Sequence, residues 1–503
     1  MLSVAFVCHI SRGKILLASR EIFRTLNAAL ESKPSRRKPQ QLSTPNSVVQ
    51  VTDPAAHSKK SAHLTLWPLV AATFFMVSGG SYGIEDIVHG AGYGRAILFL
   101  LLTPVFWSLP TAFMLGELAS ALPTEGGYYS WVRRAMGDFW GFQEAWLSLV
   151  ASKFDMAIYP TLFVAYLGRL IPSVSTGYRG IAIAVAIVVI CAALNIAGVK
   201  AVSDTSFWLL LALSAPFAVV IVLAPFHAHS LGNATTTPVT SNVDLVGGLL
   251  ICMWNYMGWD NASTIATEVD RPQRTYPRAM LLSVLIIALS YILPVAAVWM
   301  TGLPASAWET GSWADIAGLL GGPILRTTLV IGGMVSAFGM FNALVMSYSR
   351  LPLAMAEDGM LPKVLTRLHA KTGAPWVSIL ACATGWALCV GIGLDRLVTI
   401  DILLYGASLA LEFVALVVLR LREPDLPRPF RVPGGLLGAI AVGVAPVLLL
   451  GFSVVRSGSE RIWGMSSFAF GAILIAAGVF GYLLVPAMRA RGWLVRANAE
   501  TLR

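Results

Sequence analysis

"SGGSYGIEDIVHGAGYG", residues 78–94, interrupts the first long apolar run of the chain. Six of its seventeen residues are glycine, and Glu85 and Asp86 stand side by side in it. A membrane helix avoids both features, because glycine weakens a helix interior and a carboxylate is costly in hydrocarbon. Unwinding at mid-membrane frees backbone N–H and C=O groups that lipid cannot satisfy, so a break lasts only where it is buried or lines a cavity. The half-helix that resumes near Gly83 would aim N–H groups and its positive dipole end into that cavity, which suits an anion. Freed carbonyls on the other side suit an ammonium. Gly79 and Gly83 also fit a small-xxx-small helix contact, but three glycines in five residues favour the break.

The surrounding composition fixes the class. Of 503 residues, 56% are hydrophobic and 12% charged, against about 25% charged in ordinary globular domains. Runs able to form a span of roughly 20 residues recur at 66–90, 98–121, 138–170, 181–198, 205–226, 244–267, 279–301, 323–349, 375–394, 402–419, 436–455 and 465–487. The expected fold is an all-α polytopic membrane protein of about twelve transmembrane helices. The net charge of +10 is sorted by side, which argues against nucleic acid as its partner. With the N-terminus inside, inside segments hold 28 of the 36 Lys and Arg residues and outside segments 7, with Lys153 inside a span. That asymmetry puts both termini in the cytoplasm of a multi-pass cell-membrane protein. Residues 1–63 read as a basic, largely disordered cytoplasmic arm and 491–503 as a cytoplasmic tail. The start "MLSVAFVCHI" is too short to span, and no small-residue cleavage site follows it, so no removed signal peptide is expected. The five cysteines show no paired spacing, so no disulfide, metal site or cofactor is expected. No HExxH, nucleophile elbow or His-rich run supports an enzyme, and no inside segment after the first span is long enough for a signalling domain.

A second break is expected in "CMWNYMGWDNAST", residues 252–264, with Asn255, Gly258, Asp260 and Asn261. If 64–226 and 244–420 are inverted repeats, followed by two more helices within 433–487, the breaks in helices 1 and 6 occupy matching places. Paired interrupted spans mark the site of a secondary transporter. The inside segments "LPTEGGYYSWVRRAMGDFWGF" and "SRLPLAMAEDGMLPKVLTRLHAKTGAPW" each predict a short amphipathic helix. Segment 302–322, with Trp299, Trp308 and Trp313 nearby, predicts an outside loop at the membrane interface.

Glu85 serves equally as a helix-capping acid or as a binding or coupling acid, Asp86 less so, and Asp260 shares the ambiguity. Lys153 is a charge in mid-span, and Asp155 points to nearly the opposite side of its helix. Its expected partner is Glu85, Asp86 or Asp260 from another helix, in a structural ion pair or as a proton-exchanging lysine. Trp254 and Trp259 flank the second break and could stack on a cation. Asn195, Glu117, Glu144, Glu268 and Glu412 read mostly as structural groups near helix ends.

With "GGSYGIED", "GELASALPTEGGYYSWVRRAMG", "WNYMGWDNASTIATEVDRPQRTYPRAM" and "SYSRLPLAMAEDGMLPKVL" in order, the chain resembles the APC superfamily of amino acid–polyamine–organocation transporters over most of 64–490. "FDMAIYPTLFVAYL" and the second break are most similar to plant-type polyamine uptake and L-type permeases. The resemblance implies twelve helices, a five-plus-five inverted repeat plus two, and proton-coupled uptake or exchange by alternating access. It implies that Gly79, Gly80, Ser81, Tyr82 and Gly83, with Ile84 and Glu85, form the unwound substrate stretch. Trp254 matches the aromatic gate, and the backbone at Trp254 and Met257 matches carbonyls that hold an amine, with Asn255 and Trp259 beside them. Asp260 matches an acid facing the cytoplasmic route. Glu85, Lys153, Asp155 and Asp260 are the coupling candidates. The chain departs from some proton-coupled relatives in having no lysine in 204–225, and from the polyamine-type pattern in having Lys153, a fixed positive charge that near the site would repel a dication. A free Glu85 would favour polyamines or a basic amino acid; a Glu85 neutralised by Lys153 would favour a neutral amino acid.

Overall fold

The computed structural model describes residues 64–124, 126–175, 177–198, 204–231, 244–457, 461–462 and 464–495, with backbone alone at 204–207, 266–268, 456–457 and 462. The basic arm 1–63, most of the segment 227–243 and the end of the tail lie outside the described residues. Nine of the described helices are long and apolar enough to cross a membrane, and Leu66–Val77 and Trp376–Cys389 are shorter apolar helices. With the interrupted first and sixth crossings these account for the expected all-α membrane bundle. The first crossing is α1 (Leu66–Val77) and α2 (Glu85–Ala91) on either side of the unwound 78–84. Gly79, Gly80 and Gly83 there have φ of 64°, 108° and 88°, a region that L side chains enter only at a cost.

Next come α3 (Tyr93–Ala121), α4 (Gly127–Met136), α5 (Asp138–Leu170), α6 (Gly177–Ile196) and α7 (Asp204–Leu223). The sixth crossing is α8 (Leu245–Asn255), a turn at Tyr256–Gly258 with Gly258 at φ 86°, and the 3-10 segment Trp259–Glu268. The chain continues through α9 (Pro272–Trp299), α10 (Trp313–Glu357), α11 (Trp376–Cys389), α12 (Leu394–Arg422), α13 (Gly435–Ser457) and α14 (Ser467–Ala490). Helix α5 is the most enclosed of the long spans and packs chiefly against α10 and α12.

Two expectations about connecting segments need correction. The second part of the expected loop 302–322 is helix: 313–321 forms the first turns of α10, which bends at Gly322 (φ 72°) ahead of Pro323. Trp308 and Trp313 are fully buried instead of interfacial, and only Trp299 is exposed. The expected second amphipathic helix is absent too: 350–357 continues α10, and a 3-10 turn at Lys363–Thr366 follows. Gly359 at φ 69° and Pro362 stop the helix there. The first amphipathic helix, α4, forms as its pattern predicts. It buries Tyr128, Tyr129 and Trp131, while Arg133 pairs with Asp358 at 2.6 Å and Arg134 with Glu423 at 2.7 Å. The Arg134 guanidinium holds the Glu423 carboxyl below its usual range.

Candidate functional site

The two breaks are stitched to each other and to their neighbours. Asn255 Nδ2 donates to the Gly83 carbonyl at 3.1 Å, and Tyr291 donates to the Asn255 carbonyl at 2.9 Å. Ser336 of α10 donates to the Gly79 carbonyl at 2.5 Å, and Ser81 donates to the Ser290 carbonyl. The Trp313 indole donates to the Ser81 carbonyl at 2.7 Å. Backbone groups freed by unwinding are thus met by side chains of α8, α9 and α10, as a buried break requires.

Glu85 is fully buried at the first turn of α2. Its carboxylate accepts from the Gly83 N–H at 2.7 Å, from the Gly311 N–H at 3.1 Å and from the Tyr166 hydroxyl. The Gly83 N–H lies ahead of α2, so Glu85 closes the end of the break and makes no capping bond to its own half-helix. Asp86 turns away to accept from Thr310 at 2.6 Å, and His89 Nδ1 lies 2.6 Å from the Trp308 carbonyl. Segment 308–313 lies over α2 as a lid, tied to α5 by Arg169, which pairs with Glu309 and Asp315, each at 2.8 Å.

Lys153 does not meet Glu85, Asp86 or Asp260, and this corrects the expected ion pair. It faces α11, with its ammonium 5.7 Å from the Trp386 ring centroid and its stem against Gly385. Helical geometry explains why: Lys153 lies on the far side of α5 from the residues that line the interior. Asp155 lies on that inner side. It accepts from Tyr159 at 3.0 Å, Tyr348 at 3.1 Å and the Trp254 indole at 3.3 Å.

Two small cavities lie on either side of Trp254. One is lined by Tyr82, Tyr166, Asn255, Ser336 and Met340, the other by Asp155, Tyr159, Met257, Tyr348, Asp401 and Tyr405. Each leaves about 10 Å³ free, room for roughly one water. The second cavity presents two buried carboxylates and a wall of aromatic rings. Among the described residues no lysine or arginine lines it.

The remaining predicted residues fall in different places. Gly80 donates its N–H to Ser78 Oγ at 3.2 Å, Ile84 is buried under α2, and Tyr82 packs edge-on to Tyr166 and Phe217. Trp259 is a buried anchor whose indole donates to the Tyr256 carbonyl at 2.7 Å, away from both cavities. The Trp254 carbonyl accepts the Met257 N–H at 3.0 Å. Asp260 accepts from Tyr405 at 2.6 Å. Glu117 is structural as expected, pairing with Arg420 and Arg428, whereas Glu144 and Glu412 pair with no basic residue among the described ones.

Asp401, Tyr405, Tyr159 and Tyr348 were not singled out by the sequence. The signal for the first two was present: Asp401, Tyr405, Ser408 and Glu412 form one polar stripe along α12. A hydropathy run opening at 402 places Asp401 just outside it.

Sequence comparison agrees with this architecture. A sequence model described as amino acid permease matches residues 70–477. The chain is 33% identical to the polyamine transporter RMV1 of Arabidopsis thaliana over 459 residues, covering 90% of this chain and 91% of that one. It is 34% identical to the polyamine transporter PUT1 of Oryza sativa subsp. japonica over 428 residues, 85% and 78% of the two chains. It is 24% identical to the serine/threonine exchanger SteT of Bacillus subtilis (strain 168) over 383 residues, 74% and 84%. These relatives are transporters and not enzymes, and the family match at 70–477 runs through both breaks and the long helices between them: the chain belongs to the amino acid permease family.

Proposed function

We propose that this permease carries polyamines across the cell membrane, with both termini in the cytoplasm, by proton-coupled alternating access around the two breaks. The observation that carries the reading is the cavity between Asp155 and Asp401, two carboxylates among Tyr159, Trp254, Tyr348 and Tyr405 with no basic group in its lining. Carboxylates neutralise ammonium groups, and aromatic faces attract them when desolvated. The first break supports the same choice. In an amino acid carrier its N–H groups would be free for the substrate carboxylate, whereas here the Gly83 N–H is held by Glu85. A second carboxylate brought beside Glu85 would be repelled. The names of the plant relatives agree with a polyamine, and Lys153, turned towards α11, does not oppose a dication.

The test is ligand-induced thermal stabilisation of the purified protein, since a ligand of the native state raises its melting point by mass action. Putrescine and spermidine should stabilise the wild type, while leucine and serine should not, and Asp155→Asn or Asp401→Asn should remove the shift. Stabilisation by serine or leucine alone would replace this reading with amino acid exchange.

A further inference from the structure

Helices α5 and α12 meet along a polar seam that continues well past the cavity. On α5 it comprises Glu144, Ser148, Ser152, Asp155 and Tyr159; on α12, Asp401, Tyr405, Ser408 and Glu412; all are buried. The acids are 11 residues apart on both helices, which is three turns and returns them to one face. The seam therefore has two acid tiers about 16 Å apart. Asp155 and Asp401 form the cavity tier. Glu144 and Glu412 form another, nearer the end of the bundle that carries α4.

The groups facing this lower tier come from every element around it. Glu144 and Glu412 lie within electrostatic reach of each other and of Asp260 from the 3-10 segment. Tyr128 of α4 lies within electrostatic reach of all three and of Cys382 of α11, and Tyr405 of α12 lies within reach of Glu412 and is bonded to Asp260. None of the three acids forms an ion pair among the described residues, and Arg420, two turns beyond Glu412, is engaged by Glu117. Both carboxylate oxygens of Glu412, one of Glu144 and the Tyr128 hydroxyl are buried without a hydrogen-bond partner among the described residues. Ionising one such acid costs several kcal/mol, and ionising its neighbour adds repulsion.

We infer that Glu144 and Glu412 form the proton-carrying site of this permease, separate from the substrate tier and from Lys153. The inference rests on the permease reading above. While the seam is closed a proton sits on the lower tier as a carboxyl O–H. It is taken up from water on the side to which the path is open. When the path opens at the α4 end, water reaches the tier, the O–H bond breaks and the proton leaves to that side. Tyr405 connects the tiers: its hydroxyl accepts from the Gly258 N–H at 3.2 Å, donates to Asp260 at 2.6 Å and lines the substrate cavity. A substrate that moves the second break thereby moves Asp260, and with it the field at Glu144 and Glu412.

The test uses the full-length protein in liposomes, with labelled putrescine uptake and an internal pH dye read together. Glutamine imitates the protonated acid, so Glu144→Gln and Glu412→Gln should retain the putrescine-induced thermal shift. Both should lose the stimulation of uptake by an inward proton gradient and the internal acidification that accompanies uptake. Retained gradient stimulation and acidification in both variants would overturn the inference while leaving polyamine transport intact. A wild type that putrescine neither stabilises nor crosses would instead overturn the permease reading. If the glutamine variants do not fold, Glu144→Asp and Glu412→Asp take their place: each keeps a protonatable carboxyl and should shift the pH dependence of putrescine uptake, and an unshifted profile in both rejects the inference.

Discussion

At Gly83 a Cβ would lie 3.4 Å from the Trp254 ring, 3.6 Å from Leu162 and 3.8 Å from Asn255, all ordinary contacts. Crowding is therefore not what requires glycine; φ of 88° is, at about 1–2 kcal/mol for an L side chain. Gly83→Val adds a branched side chain against the gate and should lower uptake by about tenfold or more, with membrane insertion intact. Near-normal uptake would remove the break from the transport path. Lys153 and Glu85 make a second case. Because Lys153 faces Trp386 and Glu85 faces Tyr166, Lys153→Ala should be mild, and its effect should add to that of Glu85→Gln within about 0.5 kcal/mol in a double-mutant cycle of uptake. Strong rescue in the double variant would bring the pair back. Helical periodicity placed Lys153 and Asp155 on opposite sides correctly, but it carries no information about which other helix each side meets. That is why a partner for Lys153 among the acids looked reasonable and was not found.

At the scale of elements, a glycine cluster announced the first break and Gly258 among Asn255, Asp260 and Asn261 the second, since positive φ at Gly79, Gly80, Gly83 and Gly258 is a local property. The lid was not legible. Its tryptophans look interfacial by composition, and only tertiary contact reveals that Trp313 holds the Ser81 carbonyl. Trp313→Ala should therefore impair putrescine uptake about as severely as Trp254→Ala, and an unaffected Trp313→Ala protein would make the lid dispensable. The strap between α4 and the end of α12 gives a pH test. Glu423 has a lowered folded pKa because Arg134 is bonded to it, so its contribution is present above the ordinary glutamate range and is lost as pH falls through the folded value. For so exposed a pair it is at most about 1 kcal/mol. Arg134→Ala should lower the melting temperature slightly at neutral pH and low salt, and not at all in acid. A difference that persists in acid would exclude the ion pair as its source.

For the whole molecule, hydrophobic run length announced the all-α bundle, because spanning a bilayer is a one-dimensional constraint that sequence records directly. The juxtaposition of α5 with α12 is a three-dimensional fact, and the acid interval of 11 residues on each helix acquires meaning only once they are seen side by side. On the proposed reading, a substrate has to part Trp254 from its surroundings to enter so small a cavity, and binding and opening are then one event. The bond between Glu85 and Gly83 reaches furthest. On the proposed reading of the break as substrate site, a side-chain carboxylate two residues away is a tethered competitor, present at an effective concentration no free solute matches. Lysine and cadaverine, or arginine and agmatine, differ by one carboxyl group, and the molecule would tell them apart through an occupant it already carries. Glu85→Ala would evict that occupant, and the same scaffold should then begin to accept the α-amino acid of each pair.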